Sequence, residues 1–150
     1  MPARTDILGA TILIVDDEPA NLRLLEYALR RAGYVGVVST TEPTEVCALQ
    51  RRNGCDLILL DLQMPHMNGF QVMEELAKMN GAKRAPILVL SADPKQMTRA
   101  LEAGAAGFLS KPFVLAELVL RVQLMLEKTL SRIAPRQLAA APAVFPRAIS

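Results

Sequence analysis

The feature that most constrains this chain is short. Asp56-Leu57-Ile58-Leu59-Leu60-Asp61 runs apolar without polar alternation and stops at an acid, and Leu62-Gln63-Met64-Pro65-His66-Met67-Asn68-Gly69 follows as loop. An uninterrupted apolar run of this length, bounded by turn residues, fits a strand buried on both faces, as in a parallel sheet covered by helices. An acid at the carboxyl end of such a strand falls where open α/β sheets hold their ligands. Asp61 is therefore the first candidate functional residue. A turn or helix cap after a core strand is the alternative.

The same unit recurs along the chain. Thr11-Ile12-Leu13-Ile14-Val15 is a β-branched run that ends in Asp16-Asp17-Glu18, and Pro19 suits the first turn of a helix. Leu22, Leu25, Ala28 and Leu29 then recur at helical spacing until Gly33. A second strand is expected over 35–39, and a helix from Glu42-Pro43 carries Val46, Ala48 and Leu49 up to Asn53-Gly54. After the third strand, a helix over 70–79 turns Val72, Met73, Leu76 and Ala77 inward. Strand four covers 86–90 and ends at Ser91-Ala92-Asp93-Pro94. A short helix over 97–103 stops at Gly104, a brief strand covers 107–109, and Ser110-Lys111-Pro112 follows. The last helix is expected from about 115 to about 133, because Pro135 forbids continuation. Five βα units with short connections predict a parallel sheet with helices on both faces.

At 150 residues the chain is about one domain, with half of it apolar. No stretch approaches the roughly 18 apolar residues of a membrane span, and no secretory signal opens the chain, so a cytoplasmic protein without membrane insertion is expected. Cys47 and Cys55 lack metal-ligand spacing and read as buried thiols in a reducing compartment. A net charge of +2 is too small to argue for direct nucleic-acid binding. The organisation expected is an N-terminal extension over 1–9, one domain over 10–133, and a basic, Ala- and Pro-rich disordered tail over 134–150.

Under this topology the carboxyl ends of strands one, three, four and five converge and deliver Asp16 and Asp17, Asp61, Ser91 and Lys111. Crowded carboxylates repel one another, and a hard cation with oxygen ligands relieves that repulsion; one or two carboxylates plus water suit Mg²⁺. A multi-oxygen anion held between a metal, an ammonium and a hydroxyl is most simply a phosphoryl group, and a carboxylate is itself a competent nucleophile. The site reads as a place where an aspartate is phosphorylated. Taken singly, the acids after strand one would also favour a helix N-terminus, Ser91 and Asp93 would also serve as N-caps, and Lys111 would also be a surface lysine. All four strand ends together are hard to explain that way.

Asp16-Asp17, the stretch from Asp61 to Gly69, Ser91-Ala92 and Phe108-Leu109-Ser110-Lys111-Pro112-Phe113 resemble the receiver domain of bacterial two-component response regulators, the CheY-like family, over about residues 10 to 130. The resemblance implies a flavodoxin-like (βα)5 three-layer sandwich whose five-stranded parallel sheet has order 2-1-3-4-5. It implies that Asp61 is the phosphoacceptor, that Asp17 and Asp61 bind Mg²⁺ with the backbone carbonyl of Gln63, and that Asp16 assists through water. Lys111 would pair with Asp61 at rest and with a phosphoryl oxygen afterwards. Ser91 would move onto the phosphoryl group, and Phe108 would turn inward in response. Gln63 and Asp93 occupy positions that tune hydrolysis, and the Lys111–Pro112 peptide is often cis in such proteins. His66 is expected to face solvent, and Met64, Met73, Met97 and Met125 to fill core.

The implied function is a phosphorylation-operated switch rather than an enzyme, stand-alone or part of a larger regulator. Its partners would be a histidine kinase or phosphotransfer protein and a downstream protein effector. The output surface would be the fourth helix, strand five and the last helix, where Leu120 and Leu124 are expected at a homodimer or partner contact, with ordinary surface leucines as the alternative. A phosphohydrolase with an aspartate nucleophile would need a second acid where Gln63 stands. A flavodoxin-like phosphate binder would need a Gly- and Ser/Thr-rich loop where Asp16-Asp17 stands.

Overall fold

The computed structural model describes residues 7–81 and 83–140. Strands β1 (Thr11–Val15), β2 (Gly36–Thr40), β3 (Leu57–Asp61), β4 (Ile87–Ser91) and β5 (Gly107–Ser110) pair in parallel in the order β2-β1-β3-β4-β5. Between and after them run α1 (Pro19–Arg31), α2 (Val46–Asn53), α3 (Gly69–Ala77), α4 (Met97–Glu102) and α5 (Leu115–Ala140). Single 3₁₀ turns, Pro43–Glu45 and Pro94–Gln96, lead into α2 and α4. The expected flavodoxin-like fold and its strand order are borne out.

Strand alternation divides the core into two layers. Ile12 and Ile14 of β1, Leu57 and Leu59 of β3, Leu88 and Leu90 of β4, and Leu109 of β5 pack with Leu22, Leu25 and Leu29 of α1 and Leu118, Val122 and Leu126 of α5. The intervening residues Leu13, Val15, Ile58, Leu60, Ile87, Val89 and Phe108 pack with Val46 of α2, Val72 and Met73 of α3 and Ala100 of α4. All five residues of β3, and all five of β4, are buried, which is why those strands read as continuous apolar runs.

Local chemistry sets the helix ends. Pro19 occupies the first turn of α1, and Gly54 closes α2 in the left-handed conformation at φ 58°. α3 opens with a capping box: the Asn68 side chain accepts from Gln71 N–H, and the Gln71 side chain accepts from Asn68 N–H. Gly69 sits where that helix start meets the end of β3. A Cβ there would lie 2.7 Å from the Asp61 carbonyl oxygen and 2.8 Å from Leu62 Cα.

Several expectations need correction. β2 begins at Gly36 because pairing with β1 starts there, leaving Val35 exposed outside the sheet. α3 ends at Ala77, which is exposed rather than inward. Met97 is also exposed, at the start of a helix whose buried residue is Ala100. Cys47 is only half-buried while Cys55 is buried, and both are free. α5 passes Pro135 and runs to Ala140. A proline inside a helix forfeits one hydrogen bond and costs about 3 kcal/mol, but here the helix is already anchored on the sheet, and Ala134, Gln137, Leu138, Ala139 and Ala140 are strong helix formers. Ile7, in the expected N-terminal extension, is buried on the α1/α5 side. The expectations for 1–6 and 141–150 lie outside the described residues. Among the described residues no helix is long and apolar enough to cross a membrane.

Gly69→Ala should destabilise the chain by about 1–3 kcal/mol in urea unfolding, the range for forcing atoms into a packed site. Unchanged stability would contradict the close approach to the end of β3.

Candidate functional site

The carboxyl edge of the sheet collects side chains from β1, β3, β4 and β5. The register aligns Val15 with Leu60, so Asp16, one residue past β1, stands beside Asp61 at the end of β3. Asp61 and Asp16 are both buried, 6 % and 1 % exposed, and Asp17 is half-buried. One carboxylate oxygen from each of Asp16, Asp17 and Asp61 lies within 4.8 Å of the others. Lys111, after β5, places its Nζ 3.5 Å from Asp16 Oδ2 and 3.5 Å from Asp61 Oδ1. The Lys111–Pro112 peptide is cis.

Three acids and one lysine leave a formal surplus of two negative charges at a half-buried edge. At an effective dielectric of about 20, each pair of like charges at this spacing repels by roughly 3 kcal/mol and each Lys111 contact at 3.5 Å attracts by roughly 5 kcal/mol. The lysine therefore balances most of the pairwise repulsion but leaves the net negative charge in place. Backbone and amide donors take up some of the rest. Glu18 N–H donates to Asp16 Oδ1 (2.9 Å), Asn21 Nδ2 to Asp16 Oδ2 (3.4 Å), and Gln63 N–H to Asp61 Oδ1 (3.4 Å). Burial pushes the Asp61 carboxyl above its ordinary value of 3.8; Lys111 opposes the rise and Asp16 adds to it. An all-oxygen cluster with surplus negative charge fits a hard divalent cation.

Ser91 ends β4 with its side chain fully buried, on the opposite face of the sheet from Asp61. Its hydroxyl accepts from Asp93 N–H (3.1 Å) and donates to Gln96 Oε1 (3.0 Å). Phe108, on the same face, is already buried in the α2–α4 layer. Gln63 is exposed on the β3–α3 loop. Asp93 caps the 3₁₀ turn by accepting from Lys95 N–H, which matches the capping alternative weighed for it. His66 is exposed, as expected, and adopts φ 69°.

The structure thus brings Asp16, Asp17, Asp61 and Lys111 into one cluster, with Ser91 held beside it on the other face. Sequence reasoning missed Asn21 and Gln96, polar residues on helical turns that carry no motif. For Asn21 a signal existed: it lies five residues after Asp16, one turn into α1. Beside the cluster, a cleft of about 270 Å³ opens between α1 and the β5–α5 loop, lined by Asn21, Leu24, Leu25, Phe113 and Leu115.

Comparison with known proteins agrees with this geometry. A family model described as the response regulator receiver domain matches residues 12–123. The transcriptional regulatory protein PrrA of Mycobacterium tuberculosis is 38% identical over 126 residues, covering 83% of this chain and 53% of that protein. SrrA of Staphylococcus aureus, also named a transcriptional regulatory protein, is 38% identical over 122 residues, covering 80% of this chain and 49% of its own length. The chain therefore spans about half the length of these relatives. Among solved structures, the receiver domain of a sensor histidine kinase from Pseudomonas aeruginosa, with a magnesium ion coordinated in its active-site cleft, superposes with a TM-score of 0.71 at 32% identity. That match covers 79% of this chain and 98% of the other. The chemotaxis protein CheY4 of Vibrio cholerae gives 0.71 at 29% identity, over 78% of this chain and 98% of its own.

The Asp61 shift has a measurable sign. A carboxyl whose folded-state pKa exceeds its unfolded value holds its proton more tightly when folded, so its contribution to stability is lost as pH rises through that window. Asp61→Asn removes the titrating group. It should be more stable than the parent at pH 7 in urea unfolding, with the advantage shrinking as pH falls toward 3.8. A constant difference across that range would show that Asp61 is not the strained charge.

Proposed function

The chain belongs to the response regulator receiver family, and on that footing we propose that Asp61 is its phosphoacceptor, loaded by a histidine kinase or phosphotransfer protein. It acts as a phosphoacceptor signalling domain rather than as an enzyme on external substrates. The observation that carries the reading is the pairing of buried Asp61 with Lys111 inside a three-carboxylate cluster. An Asp61 oxygen bonds to phosphorus as the bond to the donor's imidazole nitrogen breaks, and that nitrogen keeps the electron pair. Lys111, now 3.5 Å from Asp61 Oδ1, follows the charge onto a phosphoryl oxygen.

Asp16, Asp17 and Asp61, with the backbone carbonyl of Gln63, would hold Mg²⁺. The ion would supply neutralisation of phosphoryl charge that one lysine cannot provide. Gln63 and Asp93 flank the approach of hydrolytic water and set the lifetime of the phosphoryl group. The cleft beside Lys111, with Leu24, Leu25, Phe113 and Leu115 in its walls, suits the phosphodonor protein. Ser91 and Phe108 convey the change to the surface of α4, β5 and α5. The relatives named as transcriptional regulators are about twice as long as the matching region, so their output is not carried over. What the receiver offers an effector, or a second copy, is this face, where Met97, Leu101, Leu120 and Leu124 are 45–53 % exposed.

Incubation with acetyl phosphate and Mg²⁺ should label the parent chain, and EDTA or Asp61→Asn should abolish labelling. Labelling that survives in the mutant, or none in the parent, would overturn the assignment. Leu120→Ala/Leu124→Ala should weaken association of the phosphorylated form by tenfold or more, on the scale of two buried leucines. Unchanged sedimentation and effector capture would make them ordinary surface residues.

A further inference from the structure

Ser91 has a single proton to give, and the structure shows where it goes. Its side chain is 0 % exposed, so no solvent competes for the hydroxyl. The oxygen accepts from Asp93 N–H, which turns the proton toward Gln96 Oε1 at 3.0 Å. Gln96 is the last residue of the 3₁₀ turn Pro94–Gln96 and adjoins Met97, the first residue of α4. For the hydroxyl to donate to a phosphoryl oxygen on Asp61 of the neighbouring strand, it must first leave Gln96.

We propose that Gln96 is a positioning residue, a latch that holds Ser91 in the resting arrangement and sets how readily phosphorylation switches the chain. This inference deepens the phosphoacceptor reading and rests on it. The latch also joins the site to its output surface. Released Gln96 is half-buried and can rehydrate, which frees the turn that sets the start of α4. α4 has little else to fix it: six residues, Ala100 as its buried residue, and the Arg99 guanidinium stacked 3.8 Å over the Phe70 ring at the start of α3. A turn whose one buried polar anchor is the switch hydroxyl is built to move when that hydroxyl moves.

The test is the affinity of the full chain for beryllofluoride, a phosphoryl analogue, in Mg²⁺, read by calorimetry. Gln96→Met keeps the size and removes the acceptor, so the resting state loses its bond and binding should tighten roughly 3- to 10-fold, the scale of one neutral hydrogen bond. Gln96→Glu offers a charged acceptor that holds the hydroxyl harder, and binding should weaken by a similar factor. In a Ser91→Ala background, which retains Lys111 and all three carboxylates, the effect of Gln96→Met should vanish. A purely structural role for Gln96, or plain charge repulsion in Gln96→Glu, would persist there. Parent-like affinity in Gln96→Met, or an equal effect without Ser91, would overturn the latch. Failure of the parent itself to bind beryllofluoride would instead bring down the phosphoacceptor reading, and the latch with it.

Discussion

Everything at the functional edge depends on one electrostatic imbalance: three carboxylates share a half-buried corner with a single lysine. The fold cannot avoid it. β1 and β3 are central strands locked in register, so the acids that follow them emerge side by side, and the apolar layers beneath keep them there. Nearby donors reduce the strain without removing it. Glu18 N–H and Asn21 serve Asp16, and Gln63 N–H serves Asp61, yet Asp61 still holds its proton more tightly than a free carboxyl. Such a site keeps stability in reserve that cations or a change of charge can release, and chemistry that adds phosphate and metal together acts on that reserve.

Strand parity then separates chemistry from response. Asp61 follows Leu57 and Leu59 on the face packed by α1 and α5, whereas Ser91 follows Ile87 and Val89 on the face packed by α2, α3 and α4. Phe108 lies on that second face too. On the proposed reading, a charge change on one side of the sheet would be sensed by a hydroxyl whose backbone is rigid but whose partner belongs to a loosely held turn. The β3–β4 pairing, Asp61 opposite Leu90, places that hydroxyl one residue beyond the strand neighbour of Asp61. The distance between cause and sensor is one strand.

Much of this was legible in the sequence because its causes are local. Continuous apolar runs marked β3 and β4, helical spacing marked the buried face of α1, and acids at strand ends marked the cluster. Strand order was not readable from pattern alone; it came from the family resemblance, and the pairing agrees with it. The misses share one character. Gln96, Asn21 and the buried Gln50, whose amide holds Cys55 and the Lys83 carbonyl, are polar residues whose roles exist only once distant segments meet. Met97 and Ala77 looked apolar and inward, but short helices turn too little surface to the sheet to bury every apolar residue they carry. Pro135 reads as a stop in the sequence because its local penalty is real. A helix already packed through Leu118, Val122 and Leu126 absorbs that penalty and continues.

The same reasoning favours α4, rather than α1 or α5, as the element of the proposed α4–β5–α5 face that would shift. α1 is thirteen residues long with four buried, and α5 contributes Leu118, Val122 and Leu126 to the core; shifting either would open the α1/α5 layer. α4 commits one buried alanine and rests on a 3₁₀ turn, an element with poorer hydrogen-bond geometry than a full helix. Elements with few buried contacts open at low free energy, and those are where a modest change of charge is converted into a change of surface. One hydrogen bond, worth about 1 kcal/mol, is negligible against a core helix and decisive against a helix of this kind.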